Sequence, residues 1–346
     1  MIAISNEIML FTDFHAYSGF TEFSDSDKEY KNSRFRNQCE VLDGILNTAE
    51  KENIPVIFGG DLFHVRQKVD IFDFNNIFRI FANHPKVEVY LLRGNHDSIN
   101  NLMGSPSSID SFNFLPNVKV ITNPEKININ HVNVFFMPYG EDKDFIRNKL
   151  KEFSDTANRQ GNQSLLVGHL GINGAELMGT KAEGEFNAGD FYPDIFDFIY
   201  MGHYHKRQRI NGLDTFIYGG STIQNTFSDA GQDKGYDILS FDGNTVYDKF
   251  ITSSSPKFFT FSNYDDTVKE VIDRGNFVRI NAPEEEVKKI ALSEDDESKV
   301  RISPIKNFDV NSRLDISPDD SVTEVVAKFL KDKGIDALEE AKEVLP

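Results

Sequence analysis

The order of apolar and polar positions along the chain predicts short strands alternating with longer helices. Near the N-terminus the runs Glu7 to Thr12 and Pro55 to Phe58 are short and apolar, while Arg34 to Glu52 between them repeats its apolar residues at helical spacing. This is a βαβ start. Further strands are expected at Val87 to Leu92, Val118 to Thr122, Val132 to Met137, Ser164 to Val167 and Phe198 to Met201, with helices over about Ile71 to Phe81 and Asp142 to Asn158. After Tyr204 the signal changes to hairpins, with Asn211-Gly212, Tyr218-Gly-Gly-Ser221 and Asp242-Gly243 as turns.

The run Thr252-Ser-Ser-Ser-Pro256 reads as a linker, and beyond it strands are expected at Phe258 to Phe261, Phe277 to Ile280 and Lys299 to Ile302. Ser317-Pro-Asp-Asp320 reads as an N-cap followed by proline at the first helical position. Val322, Val325, Val326, Phe329 and Leu330 then share one helical face, Gly334 ends the helix, and Leu338, Ala341 and Leu345 mark a second amphipathic stretch. The expected division is 1–255 for an α/β domain, 256–316 for a smaller α+β cap, and 317–346 for C-terminal amphipathic helices.

Composition narrows the function classes. The 346 residues hold 37 Lys+Arg against 55 Asp+Glu, a net charge of −18. That excludes a chain that clamps DNA tightly by its own basic face. The single Cys39 can form neither an internal disulfide nor a cysteine metal site, which points to a reducing, cytoplasmic compartment. Any metal must therefore use His, Asp, Glu or Asn. No apolar run of 18 residues occurs, so neither a membrane span nor a signal peptide is expected.

Of the eight histidines, six fall in five short clusters that follow expected strands. These are Asp13-Phe-His15, Gly59-Gly-Asp-Leu-Phe-His64, Gly94-Asn-His-Asp97, Gly168-His169 and Gly202-His-Tyr-His205. Open α/β sheets place ligands at strand ends. Two divalent cations about 3.5 to 4 Å apart need a shared carboxylate, several neutral imidazoles and a neutral oxygen ligand. Asp-x-His and His203-x-His205 project alternate residues to one side. Asp61 suits the bridging carboxylate, and Asn95 offers an amide oxygen without adding charge. With Asp13, His15, His169, His203 and His205 completing the set, the site would stay net positive and attract a phosphate diester. Mixed nitrogen and oxygen donors without thiolate suit manganese.

The order DxH, GGDxxH, GNHD, GH, GHxH resembles the calcineurin-like metallophosphoesterase superfamily. Gly-Asp61-Leu-Phe-His64, the tract Gly202-His-Tyr-His-Lys-Arg-Gln208 with Tyr218-Gly-Gly-Ser221, and Lys234-Gly-Tyr236 resemble its SbcD-type DNA repair nucleases. The resemblance implies a four-layer αββα sandwich of two mixed sheets over 1–255, followed by an α+β cap. It implies one divalent metal ion bound by Asp13, His15, Asp61 and His205, and another by Asp61, Asn95, His169 and His203. His96 would be the general acid, Asp97 would orient its imidazole, and His64 would position the phosphate. The expected activity is manganese-dependent cleavage of DNA, as a double-strand exonuclease, a single-strand endonuclease or both. The implied partners are DNA, an SbcC-type coiled-coil ATPase and a second copy of the chain, in a bacterial or phage-infected cell. One departure is Ala16-Tyr17, where the family often has Leu-Gly.

The alternatives are a phosphomonoesterase on the same scaffold and a non-catalytic scaffold. Leu62-Phe-His64 and Asp97 disfavour a phosphoprotein phosphatase, whose motifs carry Arg and Glu there. Near the candidate ligands, Arg66, Lys68, Arg93, Lys206, Arg207 and Arg209 either form a phosphate track or pair with the many acids. Ile71 to Phe81 has more apolar residues than one helix face needs, which would suit a dimer contact. The C-terminal helices would suit docking of the ATPase.

Overall fold

The computed structural model describes residues 6–160, 162–177, 179–292, 294–305, 314, 316–317 and 320–344. Two separate two-stranded ladders aside, the strands are β1 (Glu7–Phe11), β2 (Val56–Phe58), β3 (Val89–Leu92), β4 (Val118–Ile121), β5 (Glu125–Ile129), β6 (Val132–Met137), β7 (Ser164–His169), β8 (Phe198–Gly202), β9 (Gln208–Arg209), β10 (Phe216–Tyr218), β11 (Gly235–Phe241), β12 (Val246–Thr252), β13 (Phe258–Phe261), β14 (Phe277–Pro283) and β15 (Val300–Ile305). The longer helices are α1 (Ser33–Glu52), α2 (Ile71–Asn83), α3 (Lys143–Gln160), α4 (Asp266–Asp273), α5 (Val322–Lys333) and α6 (Leu338–Val344). These residues fall into two compact units, one over 6–281 and 290–303, the other over 282–289 and the described part of 304–344.

Two six-stranded mixed sheets dominate the first unit, in the orders β12-β11-β1-β2-β3-β4 and β9-β10-β8-β7-β6-β5. Their central strands run parallel: β1 with β2, β2 with β3, and β7 with β6 and β8. Strand alternation sorts the core into three layers. Met9 and Phe11 of β1 pack with Phe35, Leu42 and Ile77 of α1 and α2. Ile8 and Leu10, on the opposite face, pack with Phe136, Leu165 and Phe198 of the second sheet. Phe135 and Leu166 of that sheet meet Ile146, Leu150 and Phe153 of α3 on its far side. The result is helix, sheet, sheet, helix, a mixed α/β architecture of two facing sheets. Each large side chain buried this way contributes about 1.5–3 kcal/mol.

Local signals explain the helix bounds. Asn32 accepts the Phe35 N–H at 2.9 Å and starts α1, while Asn53 ends it at φ 54°. Cys39 lies on the buried face of α1, and burial pushes its thiol up to about 12. In α2 the surplus apolar residues are largely used within the chain. Phe72 packs at 5.9 Å from Phe35, and Phe74 at 5.7 Å from both Phe78 and Phe112. Ile71 remains 78% exposed.

The structure departs from expectation at two places. β5 has only Ile127 and Ile129 as strong apolar positions, so its sequence carries little signal, yet it pairs with β6 as an edge strand. The C-terminal helix starts at Val322, with Ser321 rather than Ser317 as its N-cap. Ser321 and Glu324 form a reciprocal capping box, which satisfies two otherwise unpaired backbone donors. Pro318 and Asp319 of the expected cap lie outside the described residues, as do 306–313 and 315 of the expected cap domain and Leu345. In the second unit, Val322, Phe329 and Ile335 are about half exposed, at 57%, 46% and 50%. Among the described residues no helix is long and apolar enough to cross a membrane.

Candidate metal centre at the strand ends

The five clusters converge because each follows a strand that ends on the same edge of the facing sheets. Thr12-Asp13 follows β1, Gly59-Gly60-Asp61 follows β2, Arg93 to Asp97 follow β3, His169 ends β7, and His203 follows β8. Three sets of side chains there could each hold a cation: Asp13, His15 and His205; Asp13, Asp61 and His169; and His15, Asp61 and His96. His15 Nε2 lies 3.0 Å from His205 Nε2, 3.8 Å from Asp61 Oδ2 and 3.9 Å from Asp13 Oδ1. Asn95 Oδ1 lies 3.1 Å from His169 Nε2 and 3.0 Å from His203 Nδ1. All seven residues expected as ligands are thus brought together, and His96 stands among them.

The donor chemistry fits divalent cations. Two imidazole nitrogens 3.0 Å apart, both beside carboxylates, need a proton or a cation between them. His15 Nδ1 is buried without a hydrogen-bond partner. Burial holds the His15 imidazole well below its usual range, so it is neutral, as a ligand must be. Burial and the nearby charge of His169 bring His203 down to about 4. At Asp61, burial alone would push the carboxyl up, but the charge and hydrogen bond of His169 hold it well below the usual carboxylate range. His169 is raised to about 9 because the attraction of Asp61, 3.2 Å away, overcomes its burial. A cation taken up at His169 Nε2 would have to displace that proton, which makes binding weaker as pH falls.

Backbone geometry holds these groups in sparsely populated conformations. Asp13, His15, Asp61 and His203 have φ of 51°, 52°, 63° and 105°. Such strain persists only where the surroundings enforce it, and it clusters at functional sites. Glycine is required at Gly94, where a Cβ would fall on the Asp61 carboxylate, and at Gly60, whose φ is 106°.

Hydrogen bonds orient the rings. His169 Nδ1 meets the Gly59 carbonyl at 2.8 Å, which leaves Nε2 toward Asp61 and Asn95. The Asp13 carboxylate accepts the Thr12 hydroxyl at 2.8 Å and the His203 N–H at 3.1 Å. His96 donates its backbone N–H to Asp61 Oδ1 at 2.8 Å, and its Nδ1 meets the His64 carbonyl at 2.5 Å. The expectation that Asp97 orients the His96 imidazole is corrected by this pattern. Asp97 instead accepts the backbone N–H groups of Asp61, Leu62 and Gly94 at 2.8, 2.9 and 2.9 Å, locking two ligand loops together. Burial and the Asp61 charge raise its carboxyl to about 6. His64 is half-buried, its ring 5.5 Å from that of His15 and 6.1 Å from that of His96.

The phosphate track does not form from four of its candidates. Lys206 pairs with Glu176 at 2.5 Å, Arg207 with Asp237 at 2.6 Å and with Asp248, and Arg209 with Asp214 at 2.7 Å. The acid-rich surface neutralises them. Arg93 is fully buried, and its guanidinium donates to the carbonyls of Leu102 and Tyr139. Arg66 donates to the Asn101 amide oxygen. Two supporting residues escaped sequence reasoning. Thr12 carried no signal beyond its place next to Asp13. Lys234, in a tract singled out only for resemblance, is buried, donates to the His205 carbonyl at 2.5 Å and pairs with Asp229 at 3.1 Å.

Comparison with known proteins agrees with this geometry. The family model for calcineurin-like phosphoesterases matches residues 7–207. The SbcD component of the nuclease SbcCD of Staphylococcus epidermidis is 23% identical over 190 residues, which cover 49% of this chain and 50% of that protein. The chain thus matches about half the length of this curated relative. Among solved structures, a conserved uncharacterized protein of Streptococcus pneumoniae aligns over 71% of this chain and 88% of its own, at 11% identity and a TM-score of 0.31. The family model, which spans more than half of the chain and every expected ligand from Asp13 to His205, places this chain in the calcineurin-like phosphoesterase family.

Proposed function

We propose that the chain is a manganese-dependent DNA phosphodiesterase, the nuclease subunit of an SbcCD-like repair or recombination complex. The observation that carries the reading is the convergence of Asp13, His15, Asp61, Asn95, His169, His203 and His205 around shared carboxylates, with His96 beside them. Asp13, His15, Asp61 and His205 would hold one cation, and Asp61, Asn95, His169 and His203 the other. Divalent cations there would polarise the phosphate oxygens and lower the pKa of the attacking water.

The chain's own groups do the rest. With Nδ1 fixed on the His64 carbonyl, His96 presents Nε2 as its free nitrogen, and in the imidazolium form that atom would donate a proton to the leaving oxygen. The His64 ring would contact the phosphate, and Asp97 would keep the loops carrying Asp61 and Asn95 in register. The net charge of −18 and the paired basic residues support a reading in which most duplex affinity comes from a partner. A coiled-coil ATPase of the SbcC type is our candidate, docked on the half-exposed Val322, Phe329 and Ile335. A homodimer through the region around α2 belongs to the same reading.

The test is incubation of the purified chain with manganese and an end-labelled DNA duplex, beside a phosphate monoester. Manganese-dependent DNA cleavage that stops on chelation, with little monoester turnover, is the expected outcome. Monoester hydrolysis with intact DNA would replace the reading with a phosphomonoesterase, and absence of tightly bound metal would favour a scaffold.

A further inference from the structure

From the metal centre a line of aromatic rings leads outward within the first unit. The His64 ring lies 4.8 Å from Phe20 and 5.2 Å from Tyr17. The Arg34 guanidinium stacks over Phe20 at 4.6 Å and lies 5.4 Å from the Phe258 ring. Phe258 meets Phe227 at 4.9 Å, and Phe227 meets Phe23 at 5.2 Å. Phe20, Phe23, Arg34, Phe227 and Phe258 line a cavity of about 220 Å³. Phe20, Phe23 and Phe227 are only partly buried, and a second guanidinium, that of Arg279, lies 4.7 Å from the Phe227 ring.

Arg34 is the unusual member. Among the described residues no carboxylate lies within 4.0 Å of its guanidinium, in a chain that pairs most of its other cations near the centre. Its N–H groups reach the Asn225 carbonyl at 2.6 Å and the Glu22 carbonyl at 3.4 Å. The Glu22 carboxylate on the rim is engaged by Arg301 at 3.3 Å.

We propose that this cleft stacks the unpaired bases of a DNA strand whose phosphate lies at the metal centre, an inference that rests on the nuclease reading. Three observations favour that occupant. Aromatic faces with an arginine plane are what single-stranded nucleic acid binds without sequence preference. Through the Arg34 guanidinium and Phe20 the cluster connects to His64, which sets it beside the centre. The chain is too acidic to hold DNA by its phosphates, and stacking does not require a basic surface. The cleft would give the enzyme a preference for single strands and frayed ends over intact duplex.

Phe23→Ala and Phe227→Ala test this, with Phe227→Tyr as the variant that keeps a stacking face. Two readouts are needed: quenching of a 2-aminopurine single-stranded oligonucleotide with chelator present, and cleavage kinetics with manganese on single-stranded DNA and on a small diester lacking a nucleobase. Wild type and Phe227→Tyr should quench the probe. The alanine variants should lose that quenching and raise KM for DNA about tenfold, the effect of one stacked base, with unchanged turnover of the small diester. Equal quenching and KM in wild type and alanine variants would overturn the proposal, as would equal loss on both substrates, which marks general damage. If wild type cuts neither substrate the nuclease reading fails, and the quenching comparison still decides whether the cleft binds bases.

Discussion

Replacing Asp61 by asparagine is expected to abolish phosphodiester cleavage and reduce metal binding in a chain that still folds. The reason lies in where its two oxygens sit. Oδ2 is 3.2 Å from His169 Nε2 and 3.8 Å from His15 Nε2, between the two halves of the centre, while Oδ1 accepts the His96 N–H. Asparagine keeps the size and one acceptor but removes the charge that both cations would share. It also removes the attraction that raises His169 to about 9. Loss of one preorganised transition-state hydrogen-bond donor costs on the order of 10²–10³ in kcat, and loss of a ligand shared by two cations should cost at least the upper end. Steady-state cleavage and metal counting on the same preparation check this, with circular dichroism to confirm the fold. Normal metal content with normal activity would show that Asp61 is not the bridge.

The second large effect is on stability. Lys234 and Asp229 form an ion pair whose side chains are 2% and 6% exposed, and the Asp229 carboxylate also accepts the Asn225 N–H at 3.0 Å. Removing one member of a buried pair leaves the other charge uncompensated, which costs about 3–5 kcal/mol. Lys234→Met should therefore lower the urea midpoint strongly, and adding Asp229→Asn should recover part of the loss. The same change frees the His205 carbonyl, so the weaker fold should come with weaker metal binding. A midpoint unchanged in Lys234→Met would mean that the pair contributes nothing to stability.

Much of the fold was legible because its strands are buried on both faces. Val56 to Phe58 is apolar throughout and ends at Gly59, and Val132 to Met137 is apolar but for Asn133. β5 was not legible because an edge strand with two isoleucines hardly differs from a loop. The start of α5 was misplaced because two Ser-x-x-acid signals lie four residues apart: Asp320 accepts the Ser317 N–H at 2.7 Å, but the helix begins after Ser321, whose box with Glu324 closes in both directions. At the site, the ordered clusters named the residues that converge, since ligand types at strand ends are a local signal. Their supporting contacts are not local. Asp97 reaches Asp61 across 36 positions and Lys234 reaches His205 across 29, and neither separation leaves a mark in sequence. The fate of Arg207 depended likewise on Asp237 and Asp248, which only the folded sheet brings beside it.

On this reading the strand-end cluster holds two divalent cations around Asp61. Anomalous diffraction from crystals grown with manganese, recorded at the manganese edge, tests it most directly. Two peaks about 3.5–4 Å apart are expected, one beside Asp13, His15 and His205, the other beside Asn95, His169 and His203, with Asp61 between them. A single peak, or peaks away from Asp61, would contradict it.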